Sequence, residues 1–308
     1  MSDAVVTVDV QYLRKHVAAC HLLIDNGRAA FVDCGIAASV PLLLAALEQA
    51  GLGPEDVDWV CPTHVHLDHA GGAGQLMAVL PNATCVVHPR GARHLIDPAK
   101  LIAGSVAVYG EERFGEIYGE VAAIDPARAL VVEDGSRLRL GQRELEFIHT
   151  EGHAKHHYCV IDLERSAIVS GDTLGISYRC FDTDEGAFVF ATTTPIQFDP
   201  DAWLKSLDRI ERYGLQAAYL THFGCVTTMP SLLSQLRRSL TDFTALAREH
   251  AAAPLRTARM RSELFELLCR RLDEHGDTRD EASRRELLDM DIELNVMGLE
   301  VWLDRLAA

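Results

Sequence analysis

The sequence predicts an α/β fold that ends in a helical extension. Short apolar runs bounded by polar residues or glycine indicate β-strands, and helix-like segments alternate with them. Beyond residue 228 apolar residues recur at helical spacing only. We therefore divide the chain into an α/β domain, 1–228, which carries the motifs described below, and a C-terminal helical extension, 229–308. Because the apolar stripes of the extension need a partner surface, it either caps the domain or forms a homodimer.

The strands are predicted mainly in the first 220 residues. In order, the apolar runs lie at 5–10, 19–24, 29–32, 57–61, 84–87, 130–132, 138–140, 145–149, 158–161, 167–169 and 217–220. Asp25-Asn26-Gly27 lies between two of these runs and predicts a β-hairpin turn. Asp134-Gly135 predicts a second hairpin in the same way.

Helices are predicted at 40–47, at 75–80 and after Asp199-Pro200, where Asp199 is a good N-cap and Pro200 fits the first helical position. The segment 90–125 differs, because it carries aromatic residues among small and charged ones and predicts short helices over the sheet. Its aromatic residues are Tyr109, Phe114 and Tyr118. They belong either to the core or to the wall of a substrate pocket.

Composition and charge restrict the function. The chain has 45 acidic against 29 basic residues, a net charge of −16. Such a surface repels phosphate backbones and disfavours generic nucleic-acid binding. No apolar run is long enough for a membrane span, Met1–Tyr12 does not resemble a signal peptide, and the eight cysteines form no CxxC pair. We therefore predict a cytoplasmic protein that acts on a small molecule.

The 14 histidines are clustered, and the first cluster follows the strand predicted at 57–61. Side chains two apart on an extended backbone point the same way, so His64 and His66 can bind one ion together. Asp68 and His69 are neighbours and cannot both join that face. Ala70-Gly71-Gly72 allows a tight turn, so these two residues can address a second ion.

Three further predicted strands end in a residue that can bind metal. His153 follows the strand at 145–149, Asp172 follows that at 167–169, and His222 follows that at 217–220. Zinc takes about four ligands, with nitrogen and oxygen among its donors. Four strand ends tipped by histidine or aspartate therefore predict a metal site built from loops at one edge of the sheets.

These motifs resemble those of the metallo-β-lactamase superfamily. The run THVHLDHAGG is similar to its HxHxDH signature, and TEGHAKHH, SGDTLG and THFG follow in the superfamily's order. The resemblance extends to about residue 228 and implies an αββα sandwich with a dinuclear metal site at one edge. It implies that His64, His66 and His153 hold the first metal, that Asp68, His69 and His222 hold the second, and that Asp172 bridges both.

The second motif departs from the family pattern. Hydrolytic glyoxalases often show TPGHTPGH where this chain has TEGHAKHH, residues 150–157. His157 keeps its place and is expected to orient a ligand by a hydrogen bond. His156 replaces a usual glycine and either lines the pocket or is exposed. His149 is expected to be structural, and Cys225 either fills space or lines the site.

The resemblance implies a metal-dependent hydrolase. Two divalent cations, zinc foremost and iron or manganese as alternatives, lower the pKa of a shared water so that hydroxide attacks a thioester or lactone-like ester. Asp68 is the expected proton carrier to the leaving group. Tyr178 either orients the substrate carbonyl or packs in the core, and Arg179 is a candidate contact to a substrate anion. The alternatives are a mononuclear-iron persulfide dioxygenase and another hydrolase of this fold, such as a phosphodiesterase.

Overall fold

The computed structural model describes residues 4–194 and 196–307, and these form two six-stranded sheets. The first sheet consists, in order, of β1 (Ala4–Asp9), β2 (Ala19–Asp25), β3 (Arg28–Val32), β4 (Val57–Cys61), β5 (Thr84–Val87) and β6 (Ala129–Val131). The second consists, from one edge to the other, of β12 (Gly224–Val226), β11 (Ala217–Leu220), β10 (Ala167–Gly171), β9 (Tyr158–Asp162), β8 (Arg143–His149) and β7 (Ser136–Leu140). The strands from β3 to β6 are parallel, as are β10 and β11.

The two sheets pack face to face, and strand β3 shows how the sequence achieves this. Ala30 and Val32 belong to the buried cluster between the sheets, together with Phe147 and Val160 from the second sheet. Phe31 points the other way, into the cluster beneath the helices. Successive side chains of a strand alternate between its faces. Because both faces of β3 are buried, the strand is a continuous apolar run rather than an alternating one.

Helices cover the outer faces. They are α1 (Val40–Gln49), α2 (Leu67–Ala70), α3 (Ala73–Val79), α4 (Ala92–Ile96), α5 (Ala99–Tyr109), α6 (Glu111–Tyr118), α7 (Pro200–Glu211), α8 (Met229–His250), α9 (Arg256–Glu274) and α10 (Glu281–Ala307). The predicted α/β class, an αββα sandwich with C-terminal helices, is confirmed. Asp199 caps α7 by accepting a hydrogen bond from the Ala202 backbone, as its sequence predicts.

The C-terminal helices share a core with the sandwich. Leu236 of α8, Leu268 of α9 and Leu299 of α10 belong to the same buried cluster as Trp203 of α7. The domain boundary at residue 228 and the homodimer stay predictions, and the terminal residues 1 and 308 lie outside the described part. Within the described ranges, no helix is both long and apolar enough to span a membrane.

One of the two predicted hairpin turns forms. Asn26 and Gly27 join β2 to β3 with φ angles of 47° and 76°, as a type I′ turn requires. The hairpin at Asp134-Gly135 is wrong, because β6 belongs to the first sheet and β7 to the second. The dipeptide makes a turn in both cases. Packing across the sandwich decides which strand each flanking strand pairs with.

Candidate metal centre

Four donor atoms from three loops meet at one end of the sandwich. His64 Nε2 lies 2.8 Å from His66 Nδ1, and His153 Nε2 lies 3.1 Å from the same His66 atom. Asp172 Oδ2 is 3.2 Å from His153 Nε2. We call these atoms of His64, His66, His153 and Asp172 the first donor set; their residues form a group that could hold a metal ion.

A second donor set lies beside the first. Asp68 Oδ2 is 3.3 Å from His222 Nε2 and 3.5 Å from His69 Nε2. The other carboxylate oxygen of Asp172, Oδ1, is 3.2 Å from His69 Nε2 and 3.4 Å from His222 Nε2. The second donor set therefore consists of Asp68 Oδ2, His69 Nε2, His222 Nε2 and Asp172 Oδ1. The two oxygens of Asp172 face different sets, which is the geometry of a bridging ligand.

Two buried atoms of these sets are unsatisfied. Within the described residues, His69 Nε2 and Asp172 Oδ1 have no hydrogen-bond partner. A buried polar atom without a partner is costly, and a bound cation would remove that cost. Imidazole nitrogen and carboxylate oxygen are ligands that zinc, iron and manganese accept. The residues present therefore fit divalent metal ions.

Outer hydrogen bonds fix which ring nitrogen each histidine presents. His153 Nδ1 donates to the Thr192 carbonyl at 2.8 Å, and His222 Nδ1 donates to the Val17 carbonyl at 2.7 Å. Since a carbonyl only accepts, each Nδ1 carries a proton, and Nε2 is the ring nitrogen that faces the centre. The ring of His69 is held in the same way by a carboxylate, because its Nδ1 lies 2.7 Å from Asp33 Oδ2.

The sequence profile of the metallo-β-lactamase superfamily matches residues 14–222, which contain all seven residues of the two donor sets. The chain belongs to this superfamily. It is 31% identical over 250 residues to hydroxyacylglutathione hydrolase from Xanthomonas axonopodis pv. citri, covering 79% of this chain and 76% of that protein. It is 29% identical over 117 residues to acyl-coenzyme A thioesterase MBLAC2 from Bos taurus, covering 36% of this chain.

The share of each relative's length that the chain matches differs. The match with MBLAC2 covers 39% of that protein. The metallo-β-lactamase fold-containing protein ST1585 from Sulfurisphaera tokodaii is 25% identical over 56% of this chain, and the match covers 63% of that protein. The structural similarity covers more of the chain than these sequence matches do. The crystal structure of the superfamily protein TTHA1429 from Thermus thermophilus has a TM-score of 0.68 at 21% identity, covering 99% of this chain and 94% of that one.

In this superfamily member, glycines set the paths of two ligand loops. Gly152, before His153, has a φ of 141°, and a Cβ there would lie 2.3 Å from the Trp203 Cβ. Gly171, before Asp172, has a φ of 49°, and a Cβ there would lie 2.6 Å from His157 Nε2. Both backbones take conformations that favour glycine, and both neighbours leave no room for a side chain.

His157 has the contact that the sequence predicts for it. The Asp172 backbone N–H donates to His157 Nε2 at 3.2 Å, so the ring holds the backbone of the predicted bridging residue. His157 Nδ1 lies 3.0 Å from Thr150 Oγ1 and 3.1 Å from Thr173 Oγ1. His149 is structural as expected, with Nε2 bonded to the Val132 carbonyl at 3.0 Å.

Asp33 is a site residue that the sequence analysis missed. Its Oδ1 accepts from the Thr63 backbone N–H at 2.7 Å and from Thr63 Oγ1 at 2.8 Å. Its Oδ2 accepts from Thr221 Oγ1 and holds His69, so one carboxylate joins the loops after β3, β4 and β11. The only signal was an aspartate directly after a buried strand, with no histidine beside it.

The protonation of the two donor sets differs. Burial, reinforced by neighbouring imidazoles, lowers the pKa of His64 and His66 well below the usual value, so these rings are neutral. Burial also acts on His222, but the carboxylates of Asp172 and Asp68 outweigh it and raise its pKa to about 9. A cation binding at the first set therefore displaces no proton from His64 or His66, whereas the raised pKa of His222 means that a cation binding at the second set releases one.

A cavity of about 310 Å³ opens over the donor atoms. Tyr109 and Tyr118 line it, and Phe114 and Tyr118 belong to the buried core, so Tyr118 fits both alternatives and Phe114 only the core one. His156 and Tyr178 line the cavity as well. The guanidinium of Arg179 turns instead to the Ser177 and Cys225 carbonyls, and neither Arg179 nor Cys225 is among the described lining residues.

Helix α10 forms one wall of the cavity with Met290, Asp291 and Leu294. It is anchored beside a ligand loop, because Asn295 Oδ1 accepts from the Thr193 backbone N–H at 2.7 Å. Gly298 lets the helix approach so closely that a Cβ would lie 1.4 Å from the Thr193 carbonyl oxygen. The preceding carbonyl, that of Thr192, orients His153. The extension therefore helps to position a predicted metal ligand.

Gly298→Ala is expected to disturb both stability and metal binding. The added methyl group must displace α10 from Thr193, which we expect to lower the free energy of unfolding by about 2 kcal/mol or more. The shift also loosens the carbonyl that holds His153, so metal affinity should fall about tenfold. Chemical denaturation and competitive metal titration measure the two effects. Gly115→Ala on α6, where a Cβ meets nothing within 4 Å, is the control and should change neither quantity for the worse.

Proposed function

We propose that this chain is a hydrolase that uses two divalent metal ions, zinc foremost, to cleave a thioester or a lactone-like ester. The observation that carries this proposal is the arrangement of Asp172, whose two oxygens each complete a separate donor set. The second set offers a place for a second ion beside the first. The residue roles predicted from the sequence are part of the proposal, with Asp172 as the bridge.

Two divalent cations, when bound, acidify a water molecule and polarise the carbonyl that it attacks. The protein's own residues would do the rest. Asp68 and Asp172 both face the second set, but the Asp68 side chain is 20% exposed and that of Asp172 only 5%. Asp68 therefore has the access to the cavity that a proton carrier to the leaving group needs.

The cavity wall favours a carbonyl substrate over a phosphodiester. Lys100 is the only lysine or arginine among its described lining residues. Recognition of a phosphate backbone depends on several such cations. Apolar side chains, including Val65, Leu67, Ile176 and Leu294, line much of the rest. A relative named as an acyl-coenzyme A thioesterase supports the thioester class.

The Tyr178 hydroxyl is already hydrogen-bonded within the protein. It donates to Asp291 Oδ1 at 3.1 Å, and both residues line the cavity. To orient a substrate carbonyl, as the sequence predicts, the hydroxyl would have to exchange that partner for the substrate. The catalytic role of Tyr178 stays a prediction.

The function is tested on protein loaded with a defined metal. We expect about two ions per chain and hydrolysis within a panel of thioesters, lactones, phosphodiesters and β-lactams, with the first two preferred. Asp68→Asn should lower kcat by about 10²-fold or more, because it removes the proton carrier. Asp289→Asn, which changes an exposed carboxylate on α10, should have no effect.

Other outcomes would replace the proposal. Phosphodiester cleavage without ester cleavage would identify a phosphodiesterase. Oxygen uptake with glutathione persulfide by iron-loaded protein, together with one ion per chain, would identify the persulfide dioxygenase. Metal analysis that finds no bound ion would exclude all three activities.

A further inference from the structure

Asp291 is a buried carboxylate that has no role in the proposed reaction. It lies on α10, is 5% exposed and lines the cavity. Its Oδ1 accepts the hydrogen bond from the Tyr178 hydroxyl, but its Oδ2 has no partner within the described ranges. The Arg14 guanidinium stacks over the Tyr178 ring at 5.3 Å from the centroid.

Keeping this carboxylate in place costs free energy. Burial raises the pKa of Asp291 to about 6, while the charges of His222 and Asp172 act on it in opposite directions. A buried oxygen that lacks a hydrogen bond loses its hydration without compensation. An asparagine, which has the same shape without the charge, would avoid most of that cost. Groups that are costly for stability and face a cavity are typical of binding sites.

Hydrogen bonds and a close helix approach fix the backbone of α10 around Asp291. The Asp291 carbonyl accepts from Asn295 Nδ2 at 2.8 Å, and the same Asn295 bonds to Thr193. Gly298 holds the next turn of the helix against Thr193. Because α10 is fixed at these points, the Asp291 side chain is held in the cavity wall, with Oδ2 buried and unpartnered within the described ranges.

We propose that Asp291 is a specificity-determining residue whose Oδ2 accepts a hydrogen bond from a hydroxyl or N–H group of the substrate. The proposal rests on the proposed hydrolase function. The Tyr178 proton is engaged with Oδ1, so the pair offers acceptors to the cavity. A substrate with a donor near its scissile bond satisfies Oδ2, whereas a plain alkyl group leaves it unpaired.

Matched substrates test the preference. Thioesters of one thiol with butanoyl, 2-hydroxybutanoyl, 3-hydroxybutanoyl and N-acetylglycyl groups differ mainly in the donor. We expect the wild-type protein to favour at least one donor-bearing acyl group over butanoyl by tenfold or more in kcat/KM. Asp291→Leu should reduce this ratio to about threefold or less, while Asp289→Asn should keep it. An unchanged ratio in Asp291→Leu, or no wild-type preference, overturns the proposal.

Two measurements do not depend on turnover. In the presence of a chelator and without substrate, Asp291→Asn should raise the Tm, because the unpaired charge is removed. A purely structural aspartate would give the opposite result, and a lower Tm overturns the proposal. The methyl ketones that carry the hydroxybutanoyl and N-acetylglycyl groups should also bind wild-type protein more tightly than methyl propyl ketone, which has no donor, in ligand-observed NMR, and Asp291→Leu should lose this difference.

These outcomes separate the two proposals. If no substrate of the panel is hydrolysed, the proposed function fails, and the binding difference alone decides about Asp291. If thioesters are hydrolysed without a donor preference that depends on Asp291, the hydrolase proposal stands and the role of Asp291 fails.

Discussion

Replacing Asp172 by alanine is expected to remove at least one of the two metal ions and to lower kcat/KM by about 10³-fold. The residue supplies an oxygen to each donor set, at 3.2 Å from His153 Nε2 and 3.2 Å from His69 Nε2. Each set therefore loses a ligand at once. The loss of several kcal/mol of transition-state stabilisation corresponds to the expected fall in rate. Mass spectrometry of bound metal after dialysis, together with steady-state kinetics, measures both effects.

Asp162→Asn is the control for this experiment. Asp162 is also a buried aspartate, but it ends β9 and pairs with Arg143 at 2.6 Å, away from the donor sets. This substitution should lower stability and leave the metal content at two ions. Two tightly bound ions in Asp172→Ala would show that this carboxylate does not bridge the centre.

Replacing Asp33 by alanine is expected to weaken metal binding although Asp33 belongs to neither donor set. Its carboxylate holds His69 Nδ1 at 2.7 Å and the Thr63 backbone N–H at 2.7 Å. Without it the His69 ring can rotate or change tautomer, and such outer contacts are worth about 10- to 100-fold in metal affinity. The buried donors left unpaired should also lower the free energy of unfolding by about 3 kcal/mol or more.

The combination of the two effects distinguishes Asp33 from an ordinary core residue. Asp162→Asn again serves as the control, since it should reduce stability without changing metal affinity. Asp33→Asn keeps one acceptor oxygen and should lie between wild type and Asp33→Ala. Competitive metal titration and denaturant unfolding of the metal-free proteins give the two numbers. Equal metal affinity in Asp33→Ala and wild type would exclude an orienting function.

The predicted ligands were accessible from sequence because their geometry is local. His64 and His66 share a face as a consequence of extended backbone, and the turn into α2 separates them from Asp68 and His69. The glycine before His153 likewise indicates a loop whose backbone conformation favours glycine. The structure brings all seven predicted ligand residues together, and their function as ligands is the part that experiments must test.

Residues that act across the fold could not be recognised in this way. Asp33 contacts Thr63, 30 positions away, and Thr221, 188 positions away. Asp291 meets Tyr178 across 113 positions. Neither aspartate has a neighbour in sequence that marks it. The incorrect hairpin at Asp134-Gly135 has the same origin, because a turn dipeptide does not specify which sheet the next strand joins.

The sequence by itself determined the α/β class, the C-terminal helices and the strand-end motifs, since these follow from backbone periodicity and from side chains a few residues apart. Only the tertiary structure decided that Asp33 contacts His69 of the second donor set, that Asp291 meets Tyr178 and that α10 brings Asp291 to the cavity. These relations depend on how the two sheets and the extension pack. Packing sums weak apolar contacts over the whole chain, so no short segment encodes it.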